Sequence, residues 1–204
     1  MGHRGRHVTE VDAAVESRRR AVLDRPWTWL RQVHGTGVVV VEGPGAGAGQ
    51  VADASVSTSP GAALAILTAD CAPVALASPE GVLGAVHAGW RGLRAGVVEA
   101  AVAAMRRLGA SEVVAALGPC LHAECCAFSP EDLDSVATRL GPSVRGRTRE
   151  GGAALDIPAA VAAALEGAQA RLVAASAQCT ACGPGYFSHR ARGDLERQAL
   201  VVWR

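Results

Sequence analysis

Aromatic side chains are nearly missing from this sequence: Phe, Tyr and Trp together make up 3% of its 204 residues. A core stacked from rings is therefore excluded, and the interior must be filled by the small and β-branched side chains that dominate the chain. Net charge is nearly missing too. A formal charge of +1 gives no global attraction to nucleic acid or to an anionic membrane, and the cluster Arg18-Arg19-Arg20 reads as the solvated face of a helix. No apolar run approaches the roughly 20 residues of a membrane span. The opening residues Met1-Gly2-His3-Arg4-Gly5-Arg6 show no basic-then-apolar leader, so the expected location is the cytoplasm. Six cysteines are expected to stay reduced there.

What is present is a chain with 50% hydrophobic and 19% charged residues, long enough to fold as one domain over residues 1–204 without disulfide staples. Helical spacing of apolar residues marks Val11 to Leu23, ended by Pro26, and Leu93 to Leu108, ended by Gly109. Two further helices start at the capping sequences Ser129-Pro130-Glu131-Asp132 and Asp156-Ile157-Pro158. Trp27 to Val41 reads as strand, turn, strand, broken at His34-Gly35-Thr36-Gly37. More strands are expected at Ala62–Thr68, Pro73–Ala77, Val82–Val86, Val113–Leu117, Arg171–Ser176 and Gln198–Trp203, with Ser78-Pro79-Glu80-Gly81 as a hairpin-like turn. Gly43–Gly49 reads as a mobile loop and Gly141–Gly152 as a polar, basic one. Hairpins mixed with crossover helices predict an α+β class with a mixed sheet.

The chemistry concentrates between Thr68 and Gly92. Cys71 and His87 stand at strand ends, and His34 lies upstream in Gln32-Val33-His34-Gly35. Two imidazoles and a thiolate suit a zinc ion with an open fourth position, where a water's pKa falls to about 7. Cys71 and His87 alone equally suit a thiolate nucleophile activated by an imidazole. Asp70 beside Cys71 could orient a histidine, move protons or cap turn amides. Arg91, between two glycines, could hold a phosphate with its planar fork. Near the C-terminus, Tyr186-Phe187-Ser188-His189-Arg190 forms a polar-aromatic cluster able to contact a base or a phosphate. Cys179-x-x-Cys182 has the spacing of half a zinc knuckle or of a redox pair, but no second C-x-x-C completes it.

Together, Gln32-Val33-His34-Gly35, Thr68-Ala69-Asp70-Cys71, His87-Ala88-Gly89-Trp90-Arg91-Gly92, Gly118-Pro119 and Phe187-Ser188-His189-Arg190 resemble the bacterial laccase-domain family. Its members have been called multicopper polyphenol oxidases and peptidoglycan editing factors; they are related to mammalian FAMIN and are described as purine nucleoside phosphorylases with adenosine deaminase activity. The resemblance runs from about Trp27 to the C-terminus. It implies a zinc held by His34, Cys71 and His87, with copper as the older label. It also implies a mixed β-sandwich surrounded by helices, shared with a cytotoxic cysteine deamidase toxin. The implied reactions are phosphorolysis of adenosine, inosine, guanosine and methylthioadenosine, and hydrolytic deamination of adenosine. Asp70, Cys71 and Arg91 are the expected catalytic residues, and Arg91, His189 and Arg190 the expected contacts to nucleoside and phosphate. The expected assembly is a monomer or weak homodimer, free of nucleic acid and membrane. Three departures stand out: a short N-terminal region, Cys126-Ala127 in place of a Tyr-Glu pair, and Ala191-Arg192-Gly193-Asp194 in place of Arg-Asp-Gly. Two alternatives stay open, a Cys71-His87 amidase or deamidase acting on peptidoglycan precursors and a metal-holding editing partner with little catalysis.

Overall fold

A computed structural model describes residues 13–204. Its elements in chain order are α1 (Ala13–Val22), β1 (Trp27–Trp29), β2 (Val38–Val40), β3 (Ala54–Ser57), β4 (Ala63–Thr68), β5 (Ala72–Ala77), β6 (Leu83–Ala88), α2 (Trp90–Ala95), α3 (Val97–Arg107), β7 (Val114–Leu117), α4 (Pro130–Leu140), β8 (Arg145–Arg147), β9 (Ala153–Leu155), α5 (Ile157–Gly167), β10 (Arg171–Ala175), α6 (His189–Arg192) and β11 (Gln198–Val202). Val11 and Asp12 of the expected first helix, and the stretch read for a leader, lie outside the described residues.

The strands form a six-stranded sheet in the order β10-β7-β5-β6-β3-β2, a three-stranded sheet β1-β4-β11, and the small pair β8-β9. Pairs β1–β4, β2–β3 and β7–β10 are parallel and the others antiparallel, which makes the larger sheets mixed. Period-two alternation decides how they stack. In β4, Leu64 and Ile66 point toward Ala85 of β6 and fill the space between the sheets. Their neighbours Ala63 and Ala65 point outward, under Trp27. In the same way Val86 turns its side chain from the sandwich to the opposite layer, where Val98, Val102 and Met105 of α3 pack. The Arg19 guanidinium of α1 lies over the Trp27 and Trp29 rings at 5.9 and 5.6 Å. The result is a mixed β-sandwich with helices on both outer faces.

The expected caps are in place: Ser129 Oγ accepts from the Asp132 amide at 3.1 Å and Asp156 Oδ1 from the Ala159 amide at 2.9 Å. Two expectations need correction, and two gain detail. The helix over Leu93–Leu108 is two helices, because Gly96 adopts φ 97° and caps α2 through its N–H to the Gly92 and Leu93 carbonyls; that left-handed geometry is cheap for glycine only. The segment at Gly141–Gly152 is not all loop: β8 pairs with β9 and Val144 is buried. Gly43–Gly49 is a run of turns tied down by Gly49 N–H to the Trp29 carbonyl at 2.7 Å and Thr28 Oγ1 to the Ala46 carbonyl at 2.9 Å. Finally, β1 and β2 belong to different sheets, so the turn at residues 34–37 carries the chain across the sandwich.

The connection from β4 to β5 makes a similar crossing, and Cys71 sits in it. Because Leu64 fills the inter-sheet layer at 0% exposure, Leu64→Ala is expected to cost about 2–5 kcal/mol of stability. Val40→Ala, at a half-exposed position, should change it by no more than about 0.5 kcal/mol. Urea denaturation midpoints of the two variants check this.

Candidate metal centre and substrate cavity

Three neighbouring strands of the six-stranded sheet build the centre. His87 lies in β6, and its amide donates to the carbonyl of Asp53, the residue before β3, at 2.7 Å. On the other side of β6 the register pairs Pro73 with His87 and Ala72 with Ala88, which sets Cys71 opposite Gly89. A Cβ at Gly89 would stand 2.7 Å from His34 Cδ2 and 3.2 Å from Cys71 Sγ. The glycine therefore leaves room for both side chains.

Asp53 supplies the rest of the frame. Its buried carboxylate accepts from the amides of Val33, His34 and Gly35 at 2.7 to 3.2 Å and from His87 Nδ1 at 2.8 Å. Three successive amides converging on one anion form a backbone nest and curl the loop so that His34 takes φ 59°. An ionised carboxylate only accepts, so His87 carries its proton on Nδ1 and turns Nε2 toward Cys71.

The donor atoms of His34, Cys71 and His87 all lie within 4.8 Å of one another, with His34 Nε2 3.7 Å from Cys71 Sγ. Tetrahedral bonds of about 2.0–2.3 Å separate neighbouring donors by about 3.3–3.8 Å, so the set fits a zinc-sized ion. A histidine whose far nitrogen is held by a carboxylate is the usual support for a ligand imidazole. His34 is exposed and Cys71 half-buried, which leaves a fourth position facing the cavity.

Charge in the centre is strongly coupled. Burial works against the Cys71 thiolate, yet hydrogen bonds from His34 and His87 bring the thiol down to about 6. Burial likewise works against the His87 imidazolium, but hydrogen bonds to Asp53 and Cys71 raise it to about 9. The Asp53 carboxyl is held below its ordinary value, its burial outweighed by His87 and the loop amides. At neutral pH the metal-free centre is thus a thiolate, an imidazolium and a carboxylate.

Above the centre opens a cavity of about 520 Å³, within the range of small-molecule sites. The residues expected to hold metal, nucleoside or phosphate line it: His34, Asp70, Cys71, His87, Arg91, His189 and Arg190; Tyr186, Phe187, Ser188, Cys179 and Cys182 do not. The Arg91 guanidinium lies over the Trp90 ring at 4.5 Å, and Trp90 meets Phe128 edge-on at 5.3 Å. Arg190 Nη1 donates to the Ala127 carbonyl at 2.8 Å, so the departure at Cys126-Ala127 still contacts the site through backbone. Asp70 sits at φ 93°. Its carboxylate accepts from Thr180 Oγ1, Ser188 Oγ and the Arg190 amide at 2.7, 2.7 and 2.6 Å. It touches neither histidine through these bonds; it ties the C-terminal loops to the strand crossing.

Sequence reasoning missed Asp53, Arg197 and Thr180, and it saw Ser188 only as part of the Tyr186–Arg190 cluster, not as a partner of Asp70. Arg197 also lines the cavity. For Asp53 a signal existed, an acid set among small apolar residues in Val51-Ala52-Asp53-Ala54, where a buried charge needs partners.

Residues 3–204 match the family model described as multi-copper polyphenol oxidoreductase laccase. The chain belongs to this family. It is 42% identical to a purine nucleoside phosphorylase of Streptomyces coelicolor over 179 residues, 86% of this chain and 74% of the relative. A purine nucleoside phosphorylase of Mycobacterium tuberculosis H37Rv is 35% identical over 208 residues, covering 98% and 83% of the two chains. The crystal structure of a Neisseria meningitidis protein superposes with a TM-score of 0.83 at 30% identity, over 98% of this chain and 84% of that one. Among the described residues of this laccase-family chain, no helix is long and apolar enough to cross a membrane.

In chelator-treated protein, carboxymethylation of Cys71 followed by mass spectrometry should rise through a midpoint near 6 and level off above it, since the thiolate is the nucleophile. Asp53→Asn removes the anion that sustains the imidazolium, so this midpoint should move up toward the ordinary thiol value of about 8.5. The same variant should bind zinc about 10- to 100-fold more weakly in competition with a chromophoric chelator.

Proposed function

We propose that this chain is a zinc-dependent purine nucleoside phosphorylase that also deaminates adenosine. The observation that carries the reading is one cavity with two imidazoles and a thiolate at its base and Arg91, Arg190 and Arg197 around it. The phosphorylase name borne by the relatives supports it.

His34, Cys71 and His87 hold the zinc, which when bound supplies a Lewis acid that can polarise an oxygen or lower a water's pKa to about 7. Arg91 and Arg190 bind the phosphate dianion and hold one of its oxygens against the anomeric carbon. In phosphorolysis that oxygen bonds to C1′ while the C1′–N9 bond breaks, and the purine leaves with the electron pair. Trp90, Phe128 and Ile157 give the purine an apolar wall, and His189 contacts the nucleoside from the C-terminal side. Asp70, committed to three donors, acts as a positioning residue that keeps Ser188 and the Arg190 backbone in place. Adenosine, inosine, guanosine and methylthioadenosine are the proposed substrates, handled in the cytoplasm by a single domain working as a monomer or weak homodimer. Oxidase chemistry of the four-copper kind is not part of the proposal, because among the described residues no further histidine cluster accompanies the His₂Cys set, and that chemistry needs several.

Phosphate-dependent release of hypoxanthine from inosine tests the reading. His87→Ala should abolish turnover, and Arg91→Ala should raise the KM for phosphate about 10- to 100-fold, the loss of one charge-assisted contact. Release without phosphate would overturn phosphorolysis. Loss of turnover in Cys71→Ala alone, with both histidine variants active, would count against the zinc mechanism, and activity that survives metal removal but is lost in Cys71→Ala and His87→Ala alike would move the assignment to a Cys71-His87 amidase or deamidase acting on peptidoglycan precursors. Zinc without turnover would leave the metal-holding editing partner.

A further inference from the structure

A second group of soft donors lies outside the catalytic set. Cys125 ends a short 3₁₀ turn, Ala123–Cys125, while Cys179 and Cys182 stand 54 and 57 positions farther along the chain. Their sulfurs and a Glu124 carboxylate oxygen all lie within 4.8 Å of one another. Cys125 Sγ is 3.5 Å from Cys182 Sγ, and Cys182 Sγ is 3.5 Å from Glu124 Oε1. Ligands on a tetrahedral zinc bonded to thiolates at about 2.3 Å stand about 3.8 Å apart, so a small contraction or expansion brings these four donors onto one ion.

We infer that Cys125, Cys179 and Cys182, with the carboxylate of Glu124, form a second metal site that takes a thiophilic divalent cation such as zinc in a structural role. Two hydrogen-bond donors reach the sulfurs. The His122 amide donates to Cys179 Sγ at 3.5 Å and the Arg149 guanidinium to Cys182 Sγ at 2.9 Å, contacts that stabilise negative sulfur and orient it. Cys179-x-x-Cys182 supplies the chelating turn, closed by Cys182 N–H to the Cys179 carbonyl at 3.3 Å. Cys125 and Glu124 complete a closed, four-donor set of the structural kind. A disulfide between Cys125 and Cys182 would use two of the sulfurs and leave Cys179 and Glu124 without a purpose.

The site's position gives it a task. Thr180, between the two ligands of the turn, donates to Asp70 in the substrate cavity, and its amide donates to the Cys120 carbonyl at 3.0 Å. A metal there would clamp the C-terminal loop to the turn after Gly118-Pro119 and so fix Thr180 under Asp70. The inference does not depend on which reaction the cavity carries out.

Zinc measured by inductively coupled plasma mass spectrometry on the full chain, purified with reductant, should reach about two equivalents per chain. The His34→Ala/Cys71→Ala variant should keep about one. Exchanging that one for cobalt(II) should give a near-ultraviolet thiolate-to-cobalt charge-transfer band, and adding Cys179→Ser and Cys182→Ser should abolish both band and metal. Glu124→Gln should keep the band and weaken retention against a chelator. A His34→Ala/Cys71→Ala chain that folds but holds no metal would overturn the inference. So would an intact mass two hydrogens short, with a Cys125–Cys182 disulfide, in protein purified without reductant. Because the metal-retaining variant is itself the principal readout, misfolding of the serine variants would not shield the proposal.

Discussion

The carboxylate of Asp53 is the point on which the site depends. It is fully buried, and a buried anion is costly unless its oxygens are met by donors. Here the donors are three loop amides and one imidazole. The loop that brings His34 and the strand that brings His87 are thereby fixed to the same two carboxylate oxygens, and each partner's geometry follows from satisfying the anion. Removing that charge would leave two ligand-bearing segments with no common anchor. The pull of Asp53 on His87 also reaches Cys71, since the imidazolium is what helps keep the thiol ionised.

A second anchored carboxylate, Asp70, plays a comparable part on the other side of the cavity. Thr180, Ser188 and the Arg190 amide bind it from segments more than a hundred positions away in the chain. One acid therefore gathers the His34 and His87 segments of the candidate metal centre, and the other gathers the C-terminal residues that face it. With so few aromatics the protein cannot rely on large rings to lock these loops. It uses buried ion–dipole contacts on a scaffold of alanine, valine and glycine, where close approach is possible at positions such as Gly89.

Much of this was legible in the sequence, for identifiable reasons. Period-two and helical patterns located β4, β5, β6, α3 and α5, and side-chain caps located the starts of α4 and α5. The residues His34, Cys71, His87, Arg91, His189 and Arg190 were visible because their chemistry is conspicuous among small apolar neighbours and glycines. What escaped was set by tertiary contact. β3 reads as polar because Ser55 and Ser57 are buried in it, and the acid among apolar residues at Asp53 signals a need for partners without saying that the loop at residues 33–35 supplies them. The half-knuckle at Cys179-x-x-Cys182 found its companion in Cys125, one strand crossing away, where no local spacing rule reaches. Gly96 was hidden because the apolar face continues on both sides of the break.

The central claim is that His34, Cys71 and His87 form one metal centre at the base of the arginine-lined cavity. An anomalous difference map at the zinc absorption edge, from crystals of the zinc-loaded full chain, tests it most directly. The account predicts a peak within about 2.0–2.1 Å of His34 Nε2 and His87 Nε2 and about 2.3 Å of Cys71 Sγ, with His87 Nδ1 still on Asp53. Absence of a peak between these three side chains, with all three ordered and Cys71 unmodified, would contradict it.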